Sequence, residues 1–266
     1  MESSGENLFQ VKKERSYISC LVNGCSYGFK HLGMLLRYIW PSLALSMLFP
    51  IPFVFFFAAQ TDAILRKWIE LGYLPNVTIK AMRHDIEKCA NRSVIAELLS
   101  FLMFVLMLAG VVSLVIPMIF GWKYLWSVLI SLAVLFLSLE MEVVIMQIRF
   151  SDLPIGECFR SGFRIAWNNL GKVFAFDFLI SFLAGLVIFL GSIPNIILSS
   201  ASLQAYKGWQ IGDAWDLPLL FPLYFFLSVC ILIAVTLLTV LVIRFSYCLM
   251  WGSLVNEVPA ESEADC

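Results

Sequence analysis

Four ionisable residues fall inside or at the ends of long apolar runs: Glu140, Glu142, Asp177 and Arg244. A charged side chain at a bilayer centre costs about 2.5–3.5 kcal/mol on insertion scales, so such residues face each other, a cavity or the interface. Glu140 and Glu142 stand close together in Leu139-Glu140-Met141-Glu142-Val143. On a helix that spacing turns them about 200° apart, so they cannot form one carboxylate pair. The chemistry open to the four is ion pairing in a bundle interior, Glu140 or Glu142 with Arg244, joined by Asp177. The competing reading is structural. Both glutamates lie near a helix end and could reach toward Arg149 and the interface, as Arg37, Glu97 and Asp177 could at other span ends.

Other chemistry is not written in the sequence. Seven cysteines (Cys20, Cys25, Cys89, Cys158, Cys230, Cys248, Cys266) are scattered without a CxxC pair, and His31 and His84 are the only histidines. The expectation is no metal and no cofactor. There is no phosphate loop, HExxH, nucleophile elbow or dinucleotide fingerprint, so the chain reads as non-enzymatic. Asn76-Val77-Thr78 and Asn91-Arg92-Ser93 match the glycosylation triplet, which matters only in a eukaryotic secretory pathway. A net charge of −1 provides no field for nucleic acid.

The elements that must hold these residues are membrane helices. The chain is 61% hydrophobic and 14% charged, against about 45–50% and 25% for soluble domains. The expected fold is an all-α polytopic helix bundle of about five spans, forming one membrane domain over 1–266, with four or six spans left open. The expected spans are Tyr38–Ala59, Leu98–Ile119, Leu125–Ile145, Val173–Leu198 and Leu219–Ile243, each near the 20 apolar residues a crossing needs. Pro41, Pro50 and Pro52 should kink the first, and Gly191-Ser192-Ile193-Pro194 should interrupt the fourth. A polar tail over 1–16 and an acidic tail over 255–266 flank the domain, and nothing near the start reads as a secretion signal. Trp40, Trp122, Trp126, Trp209, Trp215 and Trp251 fall near span ends, as an aromatic belt would place them.

Two further helices are amphipathic. Phe159, Phe163, Ala166 and Leu170 oppose Arg160, Arg164 and Asn168, and Ile18, Cys25 and Leu32, with Val22, Phe29 and Leu36, oppose Asn23, Ser26, Lys30 and Arg37. Both suit interfacial helices in the headgroup region, or helices packed on the bundle. Each carries a similar tripeptide, Gly28-Phe29-Lys30 and Gly162-Phe163-Arg164, ahead of an apolar run, which hints at an internal repeat.

Through these tripeptides, and Asn168-Asn169 after the second, the chain resembles bacterial polytopic inner-membrane proteins related to the membrane domain of some glycerophosphodiester phosphodiesterases. The resemblance covers about a fifth of the chain and implies no activity, since the soluble catalytic domain is missing. It points to the bacterial cytoplasmic (inner) membrane.

Orientation conflicts with itself under five spans. The face with the N-terminus receives seven basic residues and the other eleven, which favours an external N-terminus. Yet both basic amphipathic helices should prefer the anionic cytoplasmic leaflet. Either the span count differs or the repeat is inverted.

Three roles stay open: a non-enzymatic accessory or membrane-organising protein, a small transporter or permease working as an oligomer, and a lipid-modifying enzyme using Asp152, Glu157 and Arg160. The expected partners are the lipid bilayer with a protein partner or a second copy.

Overall fold

The computed structural model describes residues 15–48, 50–74, 82–120, 125–212 and 217–256. Lys12, Lys13, Trp122, Trp215, Cys266, the Asn76 triplet and the acidic tail beyond residue 256 lie outside the described residues. Among those described there are eight helices and no strand: α1 (Tyr17–Lys30), α2 (Leu32–Leu48), α3 (Pro50–Leu71), α4 (Arg83–Phe120), α5 (Leu125–Phe150), α6 (Ile155–Asn168), α7 (Leu170–Gln210) and α8 (Phe221–Asn256). Four of them, α4, α5, α7 and α8, are long and apolar enough to cross a membrane. Their surfaces agree with lipid as the solvent. Phe101, Phe104, Phe178, Phe182, Phe189 and Ile197 are each more than half exposed, which water would penalise at about 25 cal/mol per Å². The chain is an integral membrane helix bundle.

The expected first span is not a span. Tyr38–Ala59 is divided between α2, which ends at Leu48, and α3, which starts at Pro50. The Ser42 hydroxyl donates to Gln60 Oε1 at 2.5 Å. In one continuous helix those residues would stand about 27 Å apart at 1.5 Å per residue. The two helices therefore fold back on each other as a hairpin. Pro50 and Pro52 sit in the first turn of α3, where a missing N–H costs no helical bond. Every 18-residue window of α3 contains Asp62, Arg66 and Lys67, too many charges for a crossing. At its other end α3 stops at Leu71, and Gly72 takes φ +74°, the left-handed position that favours glycine. Cysteines placed at Ser42 and Gln60 are expected to form a disulfide in membranes under mild oxidation. Absence of that cross-link, with each cysteine still accessible to alkylation, would restore the straight span.

The fourth span is not interrupted either. Helix α7 runs through Gly191-Ser192-Ile193-Pro194 to Gln210. Ser192 Oγ donates to the Phe189 carbonyl at 2.7 Å, and a Cβ on Gly191 would stand only 3.0 Å from Val235 of α8. Local side-chain bonding and close helix contact carry the proline inside a continuous helix.

With four crossings, the conflict over orientation dissolves. An even number now separates α1 from α6, so both lie in the same half of the molecule. The end of α3, the start of α4, the α5–α6 junction and the end of α8 meet there. Arg66 and Arg92 reach the Ser151 carbonyl, and Trp251 Nε1 donates to Gln147 Oε1. The buried core lies in this half, around Trp68, Phe57, Phe176 and Phe245. Tyr27 stacks on Trp68 at 4.7 Å, and Trp68 meets Phe245 at 5.0 Å. In the other half, each hairpin carries polar contacts between its two helices. Ser113 pairs with Ser131 between α4 and α5, and Ser228 Oγ donates to Asn195 Oδ1 at 2.8 Å between α8 and α7. Such small polar residues join helices where lipid removes the hydrophobic drive to associate.

The amphipathic helices turn their small residues onto spans. α1 runs antiparallel to the end of α8. The Arg15 amide donates to Ser253 Oγ at 2.9 Å, Gly24 lies on the Ser246 backbone, and Gly28 lies against Val242. α6 packs on α5 in the same manner, with Gly162 on the Val144 backbone. Ile18, Val22 and Phe29 of the expected apolar stripe are exposed instead, and the face of α1 that packs is that of Cys20, Leu21, Gly24 and Gly28.

The two tripeptide glycines thus do the same job on different spans. The repetition extends further. α5 ends in Ile148-Arg149-Phe150, and α8 carries Ile243-Arg244-Phe245. Each unit is an amphipathic helix followed by an outgoing and a returning span. In the first unit, the α2–α3 hairpin is inserted between them. Helix α5 is the returning span of this unit. Both units run in the same direction through the membrane.

Candidate functional site

Four charged side chains from four helices meet at the centre of the packed half. Asp62 comes from α3, Glu97 from α4, Arg149 from α5 and Arg244 from α8. Arg149 Nη1 lies 3.2 and 3.1 Å from the two Asp62 oxygens, and its Nη2 lies 2.9 Å from Glu97 Oε1. Arg244 Nη1 lies 3.2 Å from Asp62 Oδ1, and its Nη2 pairs with Glu97 Oε1. Each arginine therefore bridges both carboxylates through two separate nitrogens held in one plane, which a lysine's single ammonium nitrogen cannot reproduce. Ser93 Oγ donates to Asp62 Oδ2 at 2.7 Å, completing that carboxylate. Asp62 is 1% exposed, Arg149 and Arg244 each 8%. Two positive and two negative charges cancel within the cluster, so burial leaves no net charge to solvate.

Two more arginines fix the end of α5 that carries Arg149. Arg66 Nε donates to the Arg149 carbonyl at 2.8 Å and Nη2 to the Ser151 carbonyl at 3.2 Å. Arg92 donates to the carbonyls of Ser151, Asp152 and Leu153. These oxygens lie at or just past a helix C-terminus, where the helix dipole is negative and carbonyls lack helical partners. Arg66 also pairs with Asp152 at 2.9 Å, and this bond holds the Asp152 carboxyl below the usual aspartate range.

Of the four residues singled out in the sequence, the structure brings Arg244 into an ion-pair cluster, but with Asp62 and Glu97 rather than Glu140 or Glu142. Asp177 accepts a hydrogen bond from the Tyr247 hydroxyl at 2.7 Å. Glu142 lines a cavity of about 260 Å³ beside the cluster, together with Glu97, Arg149, Arg244 and Tyr247. Glu140 is 8% exposed, and its Oε1 finds no hydrogen-bond partner; the structure shows no role for it. Glu97, expected to reach for the interface, and Arg149, expected to receive Glu140 or Glu142, are members of the cluster. Asp62 lies just past the Tyr38–Ala59 run, where the sequence gives a charge no reason to need a partner. The signal that could have found Arg149 is the repeated Ile-Arg-Phe triplet.

The three polar residues considered for lipid chemistry do not converge. Asp152 is committed to Arg66, whereas Glu157 and Arg160 are exposed along α6. Among the described residues, no group of three or more His, Cys, Asp or Glu side chains could hold a metal ion.

Fold and site together define a polytopic α-helical membrane protein braced by a buried, charge-balanced cluster. Comparison with known proteins finds no matching family, no matching curated protein and no matching solved structure.

Proposed function

We propose that this chain is a non-enzymatic integral protein of the bacterial cytoplasmic membrane, acting as an accessory or membrane-organising subunit. The observation that carries this reading is the closed charge cluster. Its guanidiniums and carboxylates are spent on one another across four helices, which suits a rigid platform. Charge distribution supports a cytoplasmic location for the packed half. Of the fourteen basic residues described, thirteen belong to it, and Lys207 near the far end of α7 is the exception. The exposed stripes of α1 and the two slender hairpins offer apolar surface to a partner within the membrane.

Affinity purification of the full chain in mild detergent is expected to recover a protein partner at stoichiometric amount. Recovery of monomer or homo-oligomer alone would overturn the reading. In the same cells, Lys67→Cys and Arg160→Cys should react only from the cytoplasmic side and Lys207→Cys only from the outside. A small permease is the second reading, favoured by the two repeated hairpins, which is how transporters with parallel repeats are built.

A further inference from the structure

One side of α6 holds it on the bundle, where Cys158, Gly162, Ile165 and Ala166 are buried. Arg160, Arg164 and Trp167 are exposed, and at 3.6 residues per turn they fall within about 60° of one another on the opposite side. These two arginines differ from those of the packed half. Arg66, Arg92, Arg149 and Arg244 are bonded to carbonyls or carboxylates, and Arg83 to Glu87. Arg160 and Arg164 form no ion pair or hydrogen bond among the described residues, and neither does Glu157, the acidic residue on the same helix. Trp167 marks where this face meets the apolar layer. It is 67% exposed, and its ring stands edge-on to Phe136 at 6.1 Å, near the middle of α5. From Phe136 outward, Leu132 and Leu129 continue one exposed apolar row at helical spacing. The two arginines lie about 5 and 10 Å back from Trp167 along α6, toward the polar end of α5.

We propose that this face binds an anionic phospholipid, with Arg160 and Arg164 on its headgroup phosphate and Trp167 and Phe136 against the start of an acyl chain. A guanidinium fork matches phosphate oxygens two at a time, and neither fork is committed elsewhere. A zwitterionic headgroup carries its own cation beside the phosphate, so it gains less from two unpaired arginines. Tryptophan suits the level between phosphate and hydrocarbon, where its ring is half wet and half apolar. The row from Phe136 to Leu129 then accompanies the chain into the bilayer. A free phosphate would use the arginines alone and leave the aromatic pair without a ligand. The anionic cytoplasmic leaflet supplies such a lipid to the half that carries the basic residues. The site gives the membrane-organising role a lipid to act on, and it needs no protein partner, so the two readings can fail separately.

The full chain is reconstituted in phosphatidylcholine vesicles with increasing amounts of phosphatidylglycerol brominated on its acyl chains. The quenching that disappears in Trp167→Phe isolates the signal of Trp167. Phosphatidylglycerol is expected to occupy the position beside Trp167 about fivefold or more above its share of the bilayer, the advantage that one basic residue near an anionic surface confers. Arg160→Gln combined with Arg164→Gln should return the occupancy to that share. Arg83→Gln combined with Lys88→Gln removes the same charge from exposed positions on α4 and should leave the occupancy unchanged. Occupancy at the bulk share in the wild type, no loss in the α6 double variant, or an equal loss in the α4 double variant overturns the site. Displacement of the brominated lipid by inorganic phosphate overturns the lipid as its occupant. Should the α6 double variant fail to fold, salt decides on the wild type. Concentrated sodium chloride should screen the exposed arginines and abolish most of the preference. A preference indifferent to salt overturns the arginine contact.

Discussion

Arg149→Ala is expected to destabilise the protein by about 3–5 kcal/mol, the cost of breaking a buried ion pair from one side. Asp62 would then rely on Arg244 and Ser93 alone, and Glu97 on Arg244. One guanidinium would face two carboxylates in a site where Asp62 is 1% exposed. Desolvation that two arginines offset would be left uncompensated. Arg149→Lys should recover only part of the loss, because one ammonium cannot bridge Asp62 and Glu97 as the fork does. The informative comparison is the double substitution Asp62→Leu with Arg149→Met. It removes one charge of each sign and leaves Arg244 paired with Glu97. Its stability should lie well above that of either single variant, since apolar replacements of buried pairs are often neutral. Urea or thermal unfolding of the detergent-solubilised chain reads the wild type and all three variants. A loss under about 1 kcal/mol for Arg149→Ala, the range of exposed pairs, would mean that the cluster is solvated.

The second large effect concerns glycines with no conformational peculiarity. Gly24 and Gly162 are ordinary helical residues, and alanine would normally stabilise such positions by up to about 1 kcal/mol. Here the neighbours reverse the sign. A Cβ on Gly24 would meet the Ser246 backbone, standing 2.6 Å from its nitrogen, and a Cβ on Gly162 would stand 2.8 Å from Val144 Cα. Backbone cannot yield as a flexible side chain does, so the whole amphipathic helix must shift. Overpacking of this kind costs about 1–3 kcal/mol. For Gly24→Ala the visible consequence should be detachment of α1, which loses the packing of Cys20 and Leu21. Hydrogen exchange along 17–30 should accelerate, while the Ser246 side of α8 stays protected. Gly185→Ala in α7, with nothing within 4 Å of its Cβ, is the internal control and should be neutral or stabilising. Normal protection of α1 in Gly24→Ala would show that the helix contact is looser than described.

Composition and apolar run length were enough to establish the membrane class. Lipid selects for continuous hydrophobic helices, and α4, α5, α7 and α8 each contain one. The amphipathic segments and their glycine tripeptides were equally legible, because periodicity is a local property, but which face of α1 meets the bundle was not. Everything that depended on where the chain turns back was not. Tyr38–Ala59 has the length and composition of a crossing. Only the contact between Ser42 and Gln60 shows that it folds on itself, and that single change of count reassigns the face of every element before it. The charge cluster was hidden for the same reason. Asp62, Glu97, Arg149 and Arg244 are spread over 182 residues, and each is near the end of an apolar run, where a charge needs no partner to be tolerated. Pairing is a fact about three-dimensional proximity. The sequence determined which residues could sit in lipid, and the tertiary structure decided which charges would meet there.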